Sequence, residues 1–440
     1  MNETRKQVAP SDVGRVKLWN IARTFLGIGL ASFSLAALGE AKNWMTKKRR
    51  WFTDDEYMQG LGLSQLLPGA PTVNLSSYLG FRLRGLPGAA VATVCFLIPC
   101  FLLMLLLSHL YFRYGEMPVV SGLFHGLGAL VVGLVFNTIL NLWRSGVKTV
   151  FNWLMAAAGF AMVFWFKMGV IKILLITGVA SIIMVLLTHR FPVLSHWIGS
   201  WNDLRRHLAR SNVPTGDMKP RQVADDGAAD YVSACSRVEL PLHWSKVILL
   251  VFWLALILAV DLALIHLKPE LMQMGSSFLR IGAVTFGSGY AMLPFIQNTV
   301  VSEFGWLTNQ QFAVALALSL ITPGPVTIIS AFIGYKVAGI AGAALGMVNM
   351  YFPAWAMTTL VTAPYARAGQ VVHVRQVIGG IVAAFIGTLV VVLIKISADT
   401  LVDIPTIVMA AGAFIVQRFV KVDTVWIVLG GALVSLAVFH

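Results

Sequence analysis

The sequence predicts an all-α polytopic membrane protein built from two inverted-topology repeats. Each repeat has two broken or re-entrant hairpins and four spans, and one linking span joins them. Three observations predict this. Hydrophobic residues make up 58% of the chain and charged residues 12%, with a mean hydropathy of +0.78, whereas soluble domains carry about 25% charged residues. A charge deficit spread over the whole chain fits helices in lipid, and the short alternating segments of a β-barrel are absent. The chain also carries one pattern twice, and the loops of the two copies carry opposite charge patterns.

The duplication is read directly from the residues. Trp51-Phe52-Thr53 recurs as Trp306-Leu307-Thr308, and Leu67-Pro68-Gly69 as Thr322-Pro323-Gly324. Gly80-Phe81-Arg82 recurs as Gly334-Tyr335-Lys336, and from there the offset is constant: Pro99 matches Pro353, Gly133 matches Gly387 and Lys167 matches Lys421. Internal duplication in a membrane protein points to a site between the halves.

Taken in order, residues 1–17 form a polar tail, 18–189 the first repeat, 190–245 a solvated linker, 246–267 the linking helix and 271–440 the second repeat. Uninterrupted apolar stretches cover about 86–112, 118–142, 148–166 and 169–188, with counterparts at 340–363, 377–396, 405–417 and 424–440. Two further segments in each copy are interrupted. Phe25–Leu38 matches Phe278–Ile296, and Tyr57–Arg82 matches Phe312–Lys336, with breaks at 67–71 and 322–325. Proline and glycine end a helix and free backbone groups. They also merely kink many membrane helices, but four breaks at repeat-matched places are more than kinking requires.

Charge orients the segments. Lys42, Lys47, Lys48, Arg49 and Arg50 fill the loop 41–55, which the positive-inside rule places beside the basic N-terminus. That placement requires Phe25–Leu38 to return rather than cross. The equivalent second-half loop, Ser302–Gln311, has Glu303 and no Lys or Arg, so the second copy is expected to run the other way, turned over by span 246–267. The expectation is about nine spans and four hairpins, against about thirteen spans if every hairpin crosses. No cleavable signal peptide is evident.

Candidate binding residues gather at the breaks. A half-helix starting after Pro71 or Pro325 aims unsatisfied N–H groups at the tip, which suits a compact oxyanion. Pro68, Gly69, Pro323, Gly324 and Pro325 shape the tips, and Gly287 and Gly289 the Phe-Gly-Ser-Gly-Tyr break. Ser32, Ser34, Gln65, Thr72 and Asn74 supply polar groups in the first half. Thr285, Ser288, Tyr290, Thr322 and Thr327 supply them in the second. Arg82, Arg280 and Lys336 flank the hairpins, as mouths of an anion path or as interface anchors. Asp261, in the linking span, is the candidate for ion coupling, with snorkelling as the alternative. His125 is expected to be a packed, hydrogen-bonded group, and Gly126, Gly128, Gly133, Gly379, Gly380 and Gly387 to let helices approach closely.

The net charge of +14 clusters at segment ends, so it marks orientation and anionic lipid rather than nucleic acid. Cys95, Cys100 and Cys235 form no disulfide framework or metal pair. Walker, HExxH and GxSxG motifs are absent, so neither an ATP-driven pump nor an enzyme is expected.

Phe286-Gly287-Ser288-Gly289-Tyr290-Ala291-Met292-Leu293-Pro294, Gly305-Trp306-Leu307-Thr308, Ile321-Thr322-Pro323-Gly324-Pro325 and Ser64-Gln65-Leu66-Leu67-Pro68-Gly69 together resemble the chromate ion transporter family, two-domain long-chain type, across both repeats. The resemblance implies a secondary active transporter of chromate, a tetrahedral dianion, in the bacterial inner membrane. It implies efflux that confers chromate resistance, and alternating access around the hairpin tips with a cytoplasmic N-terminus is expected. The alternatives are a carrier for sulfate or another anion, or an anion channel. Expected partners are chromate or a sulfate-like dianion and the lipid bilayer, with a homodimer as an option and no nucleic acid. No cofactor or metal is expected. Two departures fall on first-half tips: Ser34-Leu35 replaces a usual Gly-Gly pair, and Pro-Gly-Ala-Pro at 68–71 replaces Pro-Gly-Pro.

Overall fold

The computed structural model describes residues 16–31, 41–115, 117–166, 168, 170–190, 255, 269–284, 289–368, 372–420 and 422–439. The polar linker and the linking span lie almost wholly outside them. The first repeat contains α1 (Leu18–Ala31), a π-helix (Asn43–Lys48), α2 (Asp54–Leu66), α3 (Pro71–Tyr114), α4 (Pro118–Gly146), α5 (Val150–Phe164) and α6 (Val170–Arg190). The second contains α7 (Pro269–Val284), a 3₁₀ turn (Gly289–Met292), α8 (Leu293–Gln297), a π-helix (Asn298–Glu303) and α9 (Asn309–Ile321). It continues with a 3₁₀ turn (Val326–Ile328), α10 (Ile329–Ala368), α11 (Val372–Thr400), α12 (Ile404–Phe419) and α13 (Thr424–Val438). Among the described residues four helices are long and apolar enough to cross a membrane: Pro71–Tyr114, Val120–Arg144, Val326–Thr362 and Val377–Thr400.

The stretch expected as the basic loop 41–55 is partly helical. Asn43–Lys48 forms a π-helix, and so does its repeat partner Asn298–Glu303. Each is followed by a left-handed residue, Arg50 (φ 54°) in one copy and Gly305 (φ 63°) in the other. The backbone design therefore repeats although the charges do not. A non-glycine residue in that region costs about 1–2 kcal/mol.

Each copy then folds a helical hairpin. α2 opens on a capping box in which Thr53 and Glu56 satisfy each other's backbone N–H, and α9 opens on the same device between Thr308 and Gln311. The chain breaks at Pro68-Gly69, where Gly69 has φ 100°, and at Pro323-Gly324, where Gly324 has φ 123°. The returning arm, 71–83, runs antiparallel to α2. Asn74 meets Ser64, Tyr78 lies against Gly60, and Arg82 reaches Glu56. A 13-residue arm spans about 20 Å at 1.5 Å per residue, short of the roughly 30 Å apolar core of a bilayer.

α3 is two helices joined by a sharp reversal at Arg84-Gly85, where Gly85 has φ 64°. Gly80 and Gly88 lie face to face, each carbonyl against the other's Cα. In a continuous helix these residues would stand about 12 Å apart. α10 reverses in the same way at Ala338-Gly339, bringing Gly334 onto Gly342 and Ser330 onto Gly346. Glycine serves both the turn and the close approach.

The chain divides into two compact units, each drawing on both repeats. The first comprises Met1–Ile139, Leu250–Thr359 and Leu389–His440. There, α4 packs on the second repeat's C-terminal helices: Gly133 lies on the Ala410 carbonyl and Gly126 on Ser435. The second unit comprises Leu140–Leu249 and Leu360–Thr388. Its core is Val147, Ala156, Ala383 and Ile386, with Gly387 on the Ala156 carbonyl and Gly380 on Ser181. Gly133 and Gly387 are repeat partners, as are Ala410 and Ala156, so the same small-residue contact is made once in each unit. Gly128 is only in ordinary contact and Gly379 faces open space, so these two do not serve the close packing expected of them.

Candidate functional site

The hairpin tips of the first unit meet the opposite copy. A Cβ on Gly69 would lie 2.5 Å from the Ala354 Cβ, and one on Gly324 would lie 3.0 Å from both Cβ and Sγ of Cys100. Ala354 and Cys100 are repeat partners, and each follows a matched proline, Pro353 and Pro99. Each tip thus rests on the middle of the other copy's long helix, where proline has removed a backbone donor.

The contact order gives the relative direction of the arms. Helix 86–114 runs antiparallel to its own returning arm, as Gly80 on Gly88 requires. It runs parallel to the second copy's returning arm, with Cys100 at Gly324, His109 bonded to the Tyr335 hydroxyl at 2.8 Å, and Phe112 stacked near Phe332 and Tyr335. The two returning arms therefore point in opposite directions and start at neighbouring depths.

Both returning arms begin without a side-chain cap, on Ala70 and on Pro325, whereas both entering arms carry full capping boxes at the hairpin bases. Uncapped N–H groups and the positive end of the helix dipole concentrate at the tips. A narrow cleft beside the first tip is lined by Phe25 and Ile28 of α1, Ala41, Thr72, Leu75, Ser76 and Leu79 of the returning arm, and Phe96. Thr72 Oγ1 is buried there without a partner. In the second copy Gly289 approaches Thr327 beside the second tip. Tyr290 there pairs with the Thr138 side chain.

The two tips are held differently. Asn74 donates its amide hydrogens to the carbonyls of Ser64 and Pro68, both at 3.1 Å, with Leu67 at 3.3 Å. Its donors are spent on closing its own tip. The repeat partner is Ile328, and the second tip is tied instead by Thr327 Oγ1 donating to the Tyr351 hydroxyl at 2.9 Å, while Thr322 donates to the Ser319 carbonyl.

The remaining candidates separate from the tips. Gln65 is exposed, and so are Arg280 and Lys336, the last 5.1 Å above the Phe112 ring. Arg82 lies at the hairpin base, bonded to the Tyr78 hydroxyl and 3.5 Å from Glu56. The tips are thus lined, among the described residues, by neutral groups, with Arg82 and Lys336 at the hairpin bases. Ser32, Ser34, Asp261, Thr285, Gly287 and Ser288 lie outside the described residues. His125 is a packed group, between Asp403, Gln310 and Phe439. Sequence reasoning did not single out Tyr351. The signal available was a tyrosine at a repeat position where the first copy has Leu97.

A family model described as chromate transporter matches residues 19–183 and 272–436. A chromate transport protein of Cupriavidus metallidurans is 28% identical over 94% of this chain and 92% of its own length. A probable chromate transport protein of Synechococcus elongatus is 29% identical over 90% and 89%. A chromate transport protein of Pseudomonas aeruginosa is 26% identical over 94% and 91%. No solved structure matches the chain.

Proposed function

This chain belongs to the chromate transporter family, and from that premise we propose that it is a secondary carrier that moves chromate across the cytoplasmic membrane, exporting it and so conferring resistance. The two repeats are inverted in the bilayer, the hairpins are re-entrant, and the N-terminus is cytoplasmic. The carrying observation is the pair of uncapped helix starts, pointing in opposite directions and each seated on the other copy's long helix.

The chemistry follows from the donors. A tetrahedral dianion needs several donors arranged around it. Helix N-termini and hydroxyls supply these as fixed dipoles without a full countercharge. Neutral donors hold an anion loosely enough to release it, as conduction or transport demands. Thr72 and Ser76 on one side and Thr322, Thr327 and Tyr351 on the other are hydroxyls close to the tips. Arg82 and Lys336, at the hairpin bases, raise the local anion concentration at opposite mouths. Alternating access is then a rocking of one copy against the other about the tip contacts.

Purified protein in sealed vesicles should accumulate radiolabelled chromate under an imposed ion or voltage gradient. No movement of chromate under any gradient would refute the reading. Inhibition by excess sulfate would widen the substrate class to sulfate-like dianions. Ionic currents far above carrier turnover would instead favour a channel. Pro323→Ala and Gly324→Leu should abolish movement while membrane insertion persists.

A further inference from the structure

The two hairpin bases share a backbone but not a cationic cluster. In the first copy the π-helix and its turn read Lys47-Lys48-Arg49-Arg50, and the reversal carries Arg84. In the second copy the same positions read Ser302-Glu303-Phe304-Gly305 and Ala338. Backbone angles coincide: Arg50 and Gly305 have φ 54° and 63°, and Arg84 and Ala338 have φ −153° and −149°. The fold therefore needs none of these cations, and Arg50 occupies a conformation that glycine adopts without strain.

Position and surroundings say what the cations serve. Thr53 and Arg82 mark one end of the hairpin, so the turn at 49–53 and the reversal at 84–85 share that end. Lys47, Lys48, Arg50 and Arg84 are exposed there. Lys48 Nζ stands 4.1 Å above the Trp44 ring, Arg49 lies 5.7 Å from the Trp51 ring, and Arg84 is oriented by a bond to the Val16 carbonyl at 3.2 Å. Tryptophan alternating with cations at the end of apolar helices is the composition of a membrane–water interface. Each added cation near an anionic leaflet adds to the attraction.

We propose that the first hairpin base, Lys47 to Arg50 together with Arg84, is a binding site for the phosphate headgroup of an anionic phospholipid. The tryptophans sit at the headgroup–acyl boundary. The second base, where Lys395 pairs with Ser302 beside Glu303, lacks this cluster, so lipid holds the first hairpin at its root more firmly than the second.

The second copy supplies replacements that this backbone already tolerates: Lys47→Ser, Arg50→Gly and Arg84→Ala. Lys42, Lys48 and Arg49 remain to keep the orientation signal. Thermal unfolding would be followed in phosphatidylcholine bicelles with and without phosphatidylglycerol. Wild-type protein should gain an unfolding-temperature shift from phosphatidylglycerol, because a ligand that binds the folded state stabilises it. The triple variant should lose most of that shift, and Arg50→Gly alone should raise the baseline in phosphatidylcholine while reducing the lipid response. An equal shift in wild type and triple variant would overturn the proposal, as would a wild type indifferent to phosphatidylglycerol. If chromate added to phosphatidylcholine bicelles gives the same shift, and the triple variant loses it, the cluster is a substrate vestibule and the lipid site is refuted.

Discussion

Gly69→Ala tests whether the first tip presses on the second copy. Two costs combine. Gly69 sits at φ 100°, where a residue with a Cβ is strained by about 1–3 kcal/mol. The new methyl would stand 2.5 Å from the Ala354 Cβ and 3.2 Å from its Cα, and overpacking of that kind costs typically 1–3 kcal/mol. The single variant should therefore lose about 2–6 kcal/mol, split between conformation and collision. Ala354→Gly removes the Cβ it strikes, at a helix-propensity cost of about 1 kcal/mol. The double variant should recover the collision share and keep the conformational share, giving a favourable coupling of about 1–3 kcal/mol where independent sites add to within a few tenths. Equilibrium unfolding in mixed lipid–detergent micelles, followed by tryptophan fluorescence, measures all four corners of the cycle. Additive losses would show that tip and helix are not in contact and would remove the basis for a site between the copies.

Other outcomes follow from the same contacts. Asn74→Ala strands the carbonyls of Ser64 and Pro68 and should destabilise by about 2–4 kcal/mol; Asn74→Asp should be no better, since an ionised carboxylate cannot donate, and thermal unfolding ranks them. Tyr351→Phe removes the acceptor of Thr327 and should cost about 1 kcal/mol while slowing chromate uptake in vesicles. Gly387→Ala, whose Cβ would meet the Ala156 carbonyl, should be severely destabilising, whereas Gly379→Ala, which faces open space, should stay within about 1 kcal/mol, both read by the same melt. Arg82→Gln, breaking a pair whose carboxylate is 38% exposed, should cost at most about 1 kcal/mol.

The helical arrangement was legible because its signals are local or periodic. Long apolar runs gave the helices 118–146 and 372–400 nearly to their ends, and matched Pro-Gly pairs gave both tips. The reversals at Arg84-Gly85 and Ala338-Gly339 fall where the interrupted segments, ending at Arg82 and Lys336, give way to the apolar stretches that start at about 86 and 340. The π-helix at Asn43–Lys48 was hidden by its own charges, which read as a loop. Arg82 and Lys336 were drawn toward the site because they follow the tips in sequence, but a returning arm carries them to the hairpin base. Asn74 looked like a ligand donor; only the folded hairpin reveals that its hydrogens close the turn. Tyr351 required knowing which residue faces Thr327 across the copies.

The seating of each tip on the other copy's helix also sets a timetable. Gly69 leaves the ribosome long before Ala354, and at ~5–20 residues per second that gap lasts roughly 15–60 s. Through that interval the first hairpin is closed by Asn74 but has no seat, with its uncapped arm start waiting in the membrane. The second tip has no such delay, because Cys100 is already in place when Gly324 emerges. The copy that folds alone is the copy with the internal staple, and the copy that follows has lost it to Ile328. The asymmetry at position 74 thus matches the order of synthesis, with the staple in the hairpin that must hold its shape before its partner exists.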